Sequence, residues 1–127
     1  MVMALETTSK KELPYSTEAE KAVLGGIMLK NETWDIISGL VKEEDFHKDE
    51  HRLIYRTIHD LQDAGKPIDV ITVQEAIEGN GDLPKLINSG GTDYLTVLAH
   101  ETPSVANSQC YADVIKQRSN LRLLIIA

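Results

Sequence analysis

Nowhere does this chain alternate apolar and polar residues at every second position for long enough to build a half-buried strand. Apolar residues recur instead at three- and four-residue intervals, the repeat of a helix with one buried face. The best strand candidate is the stretch PIDVITV, 67–73. There Thr72 and Glu75 form a capping box, which makes the stretch a helix start. The chain therefore reads as all-α: a compact bundle of about five short helices and one longer helix leaving it.

Local signals place the helices. Residues 1–13 are polar, follow neither period and read as a flexible arm. Thr17 with Glu20 is a capping box opening a helix that carries Ala19, Ala22, Val23 and Ile27; Leu24, Met28 and Leu29 widen its apolar face to two sides. Asn31 or Thr33 caps a second helix carrying Trp34, Ile37, Leu40 and Val41. Asp49 caps a third, with Ile54, Ile58 and Leu61 inward, stopped by Gly65 and Pro67. A short fourth helix holds Val73, Ala76 and Ile77. The stretch GNGDLPKLINSGG reads as a surface loop, and Thr92 caps a fifth helix containing Tyr94, Leu95 and Leu98, ended before Pro103. Gly25-Gly26 sits inside a good helical pattern. Glycine there costs about 1 kcal/mol relative to alanine, so a close neighbouring backbone is expected as compensation.

The last stretch, from about Asn107, contains neither glycine nor proline. Tyr111, Val114, Ile115, Arg118, Leu121, Leu124 and Ile125 recur along it as one stripe. No cap or polar tail follows Ala127, so the stripe is expected to pack on something beyond the five-helix core. Burying each large apolar side chain contributes ~1.5–3 kcal/mol, which makes the stripe a candidate docking surface.

Composition narrows the chemistry. Hydrophobic residues make up 42% of the 127 but aromatics only 5%, so aliphatic side chains must build the core. A net charge of −7 argues against a dedicated nucleic-acid surface. From Cys110 onward, however, Lys116, Arg118 and Arg122 outweigh Asp113, a mildly basic helix on an acidic body. The lone Cys110 excludes an internal disulfide and is expected to be a small buried residue. No apolar run approaches the ~20 residues a bilayer requires, and the N-terminus lacks a signal-peptide core, so the expectation is a cytoplasmic protein.

No catalytic, cofactor or metal site emerges. His47 and His51 stand four apart, but Asp49 as a cap puts His47 ahead of the helix, and the zinc-protease order is absent. A small metal-dependent enzyme using these two histidines is therefore the weaker alternative. Gly65-Lys66 continues into Pro67, not into the serine or threonine of a phosphate-binding loop. The carboxylates of Glu43-Glu44-Asp45 and Asp49-Glu50 lie in polar connections.

Several blocks nevertheless stand in a specific order: Glu18-Ala19-Glu20 with Val23-Leu24-Gly25-Gly26, Asp45-Phe46 with His51, Gly65 to Asp69, and Pro103 to Asn107 with Tyr111-Ala112. Together they resemble the N-terminal domain of the bacterial replicative DNA helicase, the DnaB family, over about Leu13 to Ala127. The chain departs from that pattern at His47 and Asp49, where the family carries Tyr and Pro nearby, and in the Asn-Ser-Gly-Gly approach to the fifth helix.

The resemblance implies a globular helical domain over 14–103 and, over 104–127, the first helix of a hairpin whose return helix and motor domain lie outside the chain. It implies a module for collar formation, oligomerisation and primase interaction, without enzymatic activity of its own. The parent would be a hexameric, ATP- and Mg²⁺-dependent helicase that pairs with itself through hairpins. Its further partners would be primase, a helicase loader and single-stranded DNA, the last through the motor. A helicase-binding domain of primase, or another helical adaptor, is the alternative. The stripe then becomes the expected subunit joint.

Overall fold

The computed structural model describes residues 13–126, so the arm expected over 1–13 lies outside the described residues except for Leu13. Six α-helices follow: α1 (Thr17–Leu29), α2 (Thr33–Ile37), α3 (Asp49–Asp63), α4 (Val70–Gly79), α5 (Asp93–His100) and α6 (Ser108–Ile126). Short 3₁₀ turns at Glu43–Asp45, Leu83–Ser89 and Val105–Asn107 join them, and there is no strand among the described residues. The fold is all-α, as the periodicity requires.

α1 is the centre. Ala19, Ala22, Val23, Leu24, Ile27 and Met28 are buried around its whole circumference, and it touches α2, α3, α5 and α6. Its two glycines account for two of those approaches. A Cβ on Gly25 would overlap the Leu98 carbonyl and Thr102 Oγ1 at the end of α5, and one on Gly26 would lie 3.0 Å from Ser108 Oγ at the start of α6. The missing side chains let two helices close on α1, which offsets the propensity cost of glycine within a helix. α3 is amphipathic, with Leu53, Ile54, Ile58 and Leu61 facing the core. The few aromatics cluster: Tyr55 lies 5.2 Å from Trp34 and 4.9 Å from Phe46, centroid to centroid.

The helix ends correct several expectations. α1 is capped by Ser16, whose Oγ accepts from Ala19 N at 3.2 Å, one residue before Thr17. Neither Asn31 nor Thr33 caps α2. Asn31 bridges Ile27 O to both backbone groups of Ile68, and Thr33 Oγ1 donates to Lys30 O. α2 stops at Ile37, leaving Leu40 and Val41 beyond it. Lys48, not Asp49, precedes α3, with no side-chain cap.

α4 is capped three residues before the predicted box. Asp69 is extended (φ −152°, ψ −177°); its carboxylate accepts from Thr72 N, and its own N–H donates to Thr72 Oγ1. Asp69 lies at the end of an extended stretch, so it outcompetes Thr72 for the cap. The glycine-rich segment is not all loop, because a 3₁₀ turn buries Leu86. Thr92 flanks α5 without a side-chain hydrogen bond. Gly65 does end α3 as predicted: its φ is +71°, and Lys66 N reaches back to Leu61 O at 3.0 Å.

Candidate interaction surface

The last helix meets the body along a face that its hydropathy does not advertise. Ser108, Ala112, Ile115, Ser119 and Arg122 are buried. At about 100° per residue these five positions share one side of α6. The predicted stripe lies roughly a quarter turn away, and the structure divides it. Ile115 is buried in the chain's own core, and Tyr111 and Val114 are half-buried against that core. With Ala19, Ala22 and Pro103 they line a 230 Å³ groove between α1 and α6. Arg118 is intermediate and donates to the neighbouring Gln117. Leu121, Leu124 and Ile125 stand in solvent, joined by Leu123; Leu124 is 76% and Leu123 64% exposed. Cys110 is exposed as well, against expectation, because it points away from the buried face.

A polar seam holds the helix that carries these leucines. Asp45 is 4% exposed. Its carboxylate accepts from Lys42 N at 2.8 Å and Ser119 Oγ at 2.7 Å, with Lys116 Nζ at 3.4 Å from each oxygen. The Arg122 guanidinium, itself buried, donates to Asp45 O at 2.6 Å and Pro14 O at 2.7 Å. Burial pushes the Arg122 pKa down, against an upward pull from the Glu20 and Asp45 carboxylates. Arg52 Nε donates to Phe46 O at 2.6 Å and so braces the same loop from α3.

A second buried cluster adjoins it. Glu20, 1% exposed, accepts from His47 N at 2.7 Å and Lys48 N at 3.3 Å, and its Oε1 lies 2.7 Å from His51 Nδ1. His51 Nε2 lies 2.5 Å from Tyr94 Oη. One carboxylate thus ties together α1, the loop after the first 3₁₀ turn, α3 and, through His51, α5. Burial, with Glu50 and Glu20 adding to it, pushes the Tyr94 phenol up to about 12. Burial also lowers the His47 pKa, with Arg122 contributing.

The two histidines considered as a metal pair part company. Both ring nitrogens of His51 are engaged inside the domain, while His47 stacks on Tyr15 at 4.2 Å. Among the described residues no group of three or more His, Cys, Asp or Glu is placed to hold a metal ion, and no helix is long and apolar enough to cross a membrane.

Sequence reading by hydropathy missed Glu20, Asp45, Ser119 and Arg122. Each is a polar residue on a buried face. The available signal was a Glu inside an otherwise apolar helix face and an Arg spaced seven residues beyond the buried Ile115.

The description "DnaB-like helicase N terminal domain" matches residues 12–117. The replicative DNA helicase DnaB of Buchnera aphidicola (Baizongia pistaciae) is 45% identical over 114 residues, 90% of this chain and 24% of the relative. DnaB of Haemophilus influenzae is 43% identical over 112 residues, 88% of this chain and 23% of the relative. The replicative DNA helicase DnaC of Bacillus subtilis is 38% identical over 112 residues, again 88% of this chain and 24% of the relative. The chain thus spans about a quarter of the length of these relatives. The crystal structure of the N-terminal domain of DnaB helicase from Mycobacterium tuberculosis superposes with a TM-score of 0.85 at 30% identity, covering 91% of this chain and 81% of that one.

Proposed function

The chain belongs to the DnaB-like helicase N-terminal domain family, and on that premise we propose that it is the collar and pairing module of a replicative DNA helicase. α6 serves as the first helix of a hairpin. Leu121, Leu124 and Ile125, with Leu123, form the joint that meets a return helix and a neighbouring subunit, and the half-buried Tyr111 and Val114 extend it toward the groove. The assembled collar receives primase and a helicase loader. Unwinding of duplex DNA, with its ATP, Mg²⁺ and single-stranded DNA, belongs to a motor in the longer polypeptide. Gly65-Lys66 closes α3 in a helix stop and does not form a phosphate-binding turn.

The observation that carries this reading is the exposed apolar end of a helix whose preceding turns are fixed to the body. Four large aliphatic side chains are exposed on adjacent turns and stand outside this chain's own core. Each gains ~1.5–3 kcal/mol on burial, before the costs of association. Sedimentation velocity tests the reading by comparing the 127-residue chain with a longer product of the same gene that carries a second helix. The longer product assembles into larger particles; equal particle sizes contradict the proposal. The chain alone, freed of contaminating ATPases, shows no ATP turnover.

A further inference from the structure

We propose that Asp45 and Arg122 form a buried polar lock that sets the direction in which the end of α6 leaves the domain, which makes them positioning residues for the pairing surface. This rests on the reading of that end as a joint.

Two kinds of residue face inward along α6. Up to Ile115 the helix is held by apolar contact and by small residues, Ser108 and Ala112, that permit close approach to α1. Past Ile115 no large apolar side chain of α6 is buried among the described side chains: Leu121, Leu123, Leu124 and Ile125 all face solvent. Apolar packing is non-directional and here stops short of the helix end. The remaining inward residues are Ser119 and Arg122, and both make short hydrogen bonds.

These bonds converge from two separate parts of the chain. Ser119 and Lys116 reach the Asp45 carboxylate. Arg122 reaches the carbonyl of that same residue and, with its other terminal nitrogen, the carbonyl of Pro14 ahead of α1. The rigid guanidinium fork holds two carbonyls at fixed geometry, which a flexible ammonium cannot do. The Asp45 loop is itself held by Lys42 N, by Arg52 on Phe46 O and by the Glu20 carboxylate on His47 and Lys48 N–H. The anchor is therefore part of the rigid body and not a floating loop. Charge-assisted bonds at 2.6–2.7 Å fix an angle where aliphatic contact alone would leave the helix free to pivot beyond Ile115.

Double electron–electron resonance on the 127-residue chain tests this. Spin labels go on Glu78→Cys in α4 and Leu123→Cys in α6, both exposed, in a Cys110→Ser background. A control pair, Gln62→Cys with Glu78→Cys, reports on the body alone. The unsubstituted lock gives one narrow 78–123 distance distribution. Arg122→Met, which keeps the apolar stem, broadens that distribution while the 62–78 pair stays narrow, a pattern that general destabilisation does not produce. Asp45→Asn, which preserves shape, broadens it too and serves if the first variant fails to fold. Arg122→Lys restores it only in part. A 78–123 distribution that stays narrow at the same mean in the folded variants overturns the lock and leaves the pairing surface standing. Equal sedimentation of short and long chains would do the reverse.

Discussion

α1 and the last turns of α6 carry the same signal in the sequence and meet opposite fates. Both are apolar on nearly every side. In α1 that pattern finds partners within the chain: Val23, Leu24 and Ile27 are fully buried and four helices close around them. At the end of α6, Leu121, Leu123, Leu124 and Ile125 find none among the described residues. A helix that is apolar all round calls for burial but does not say in what. In α1 the answer is the fold; in α6 we place it in another helix. The polar seam at Asp45 and Arg122 marks the boundary between the two regimes, since beyond it the domain holds α6 by direction and not by a core.

The comparison breaks most easily on leucine. Leu24→Ala removes a fully buried side chain and costs about 3 kcal/mol in denaturant unfolding. Leu124→Ala changes the stability of the isolated chain by less than about 0.5 kcal/mol. Similar losses at both positions would erase the distinction between a core helix and a docking end.

Glycine gives the next contrast. Gly25→Ala drives a Cβ into the Leu98 carbonyl, which is backbone and cannot step aside, and costs about 2 kcal/mol in a thermal melt. Gly26→Ala meets only Ser108 Oγ at 3.0 Å. The serine can yield and alanine favours the helix by about 1 kcal/mol, so this variant stays close to neutral. A larger loss at Gly26 than at Gly25 would move the tight crossing from α5 to α6.

The last contrast concerns alkaline pH. The Tyr94 and Tyr55 phenols ionise near 12 in the folded domain against 10.0 for a free tyrosine, chiefly because of burial. Above pH 10 the unfolded chain loses these protons first and so binds fewer than the folded one. Stability is therefore whole below pH 10 and declines as pH rises toward 12. Tyr94→Phe flattens the decline of melting temperature over that window; an unchanged slope would show that the phenol is solvated in the native state.

The all-α class, the buried faces of α1 and α3 and the stop at Gly65 were legible because each rests on periodicity or on a backbone conformation only glycine adopts readily. The caps of α1 and α4 were legible to within a turn, whereas the residues expected to cap α2, α3 and α5 make no cap hydrogen bond. Ser16 displaced Thr17, and Asp69 displaced Thr72, because the last extended residue takes the cap whichever downstream residue completes a box. Glu20 illustrates the limit: it sits at the box position, yet its carboxylate turns inward to His51 and the N–H groups of His47 and Lys48. The stripe on α6 was read as one surface because hydropathy weighs leucine and ignores serine. The face that docks on the body is built from Ser108, Ala112, Ser119 and Arg122 around a single isoleucine. No periodicity of apolar residues could have found it.

The account stands on the end of α6 being a joint. The direct measurement is sedimentation velocity of the longer, hairpin-bearing product with Leu121→Glu, Leu124→Glu and Ile125→Glu together, with helix content and melting temperature followed alongside. The account predicts that the assembled particle falls to a smaller species while folding is unchanged. Particles of the parent's size, in a chain folded as well as the parent, would contradict it.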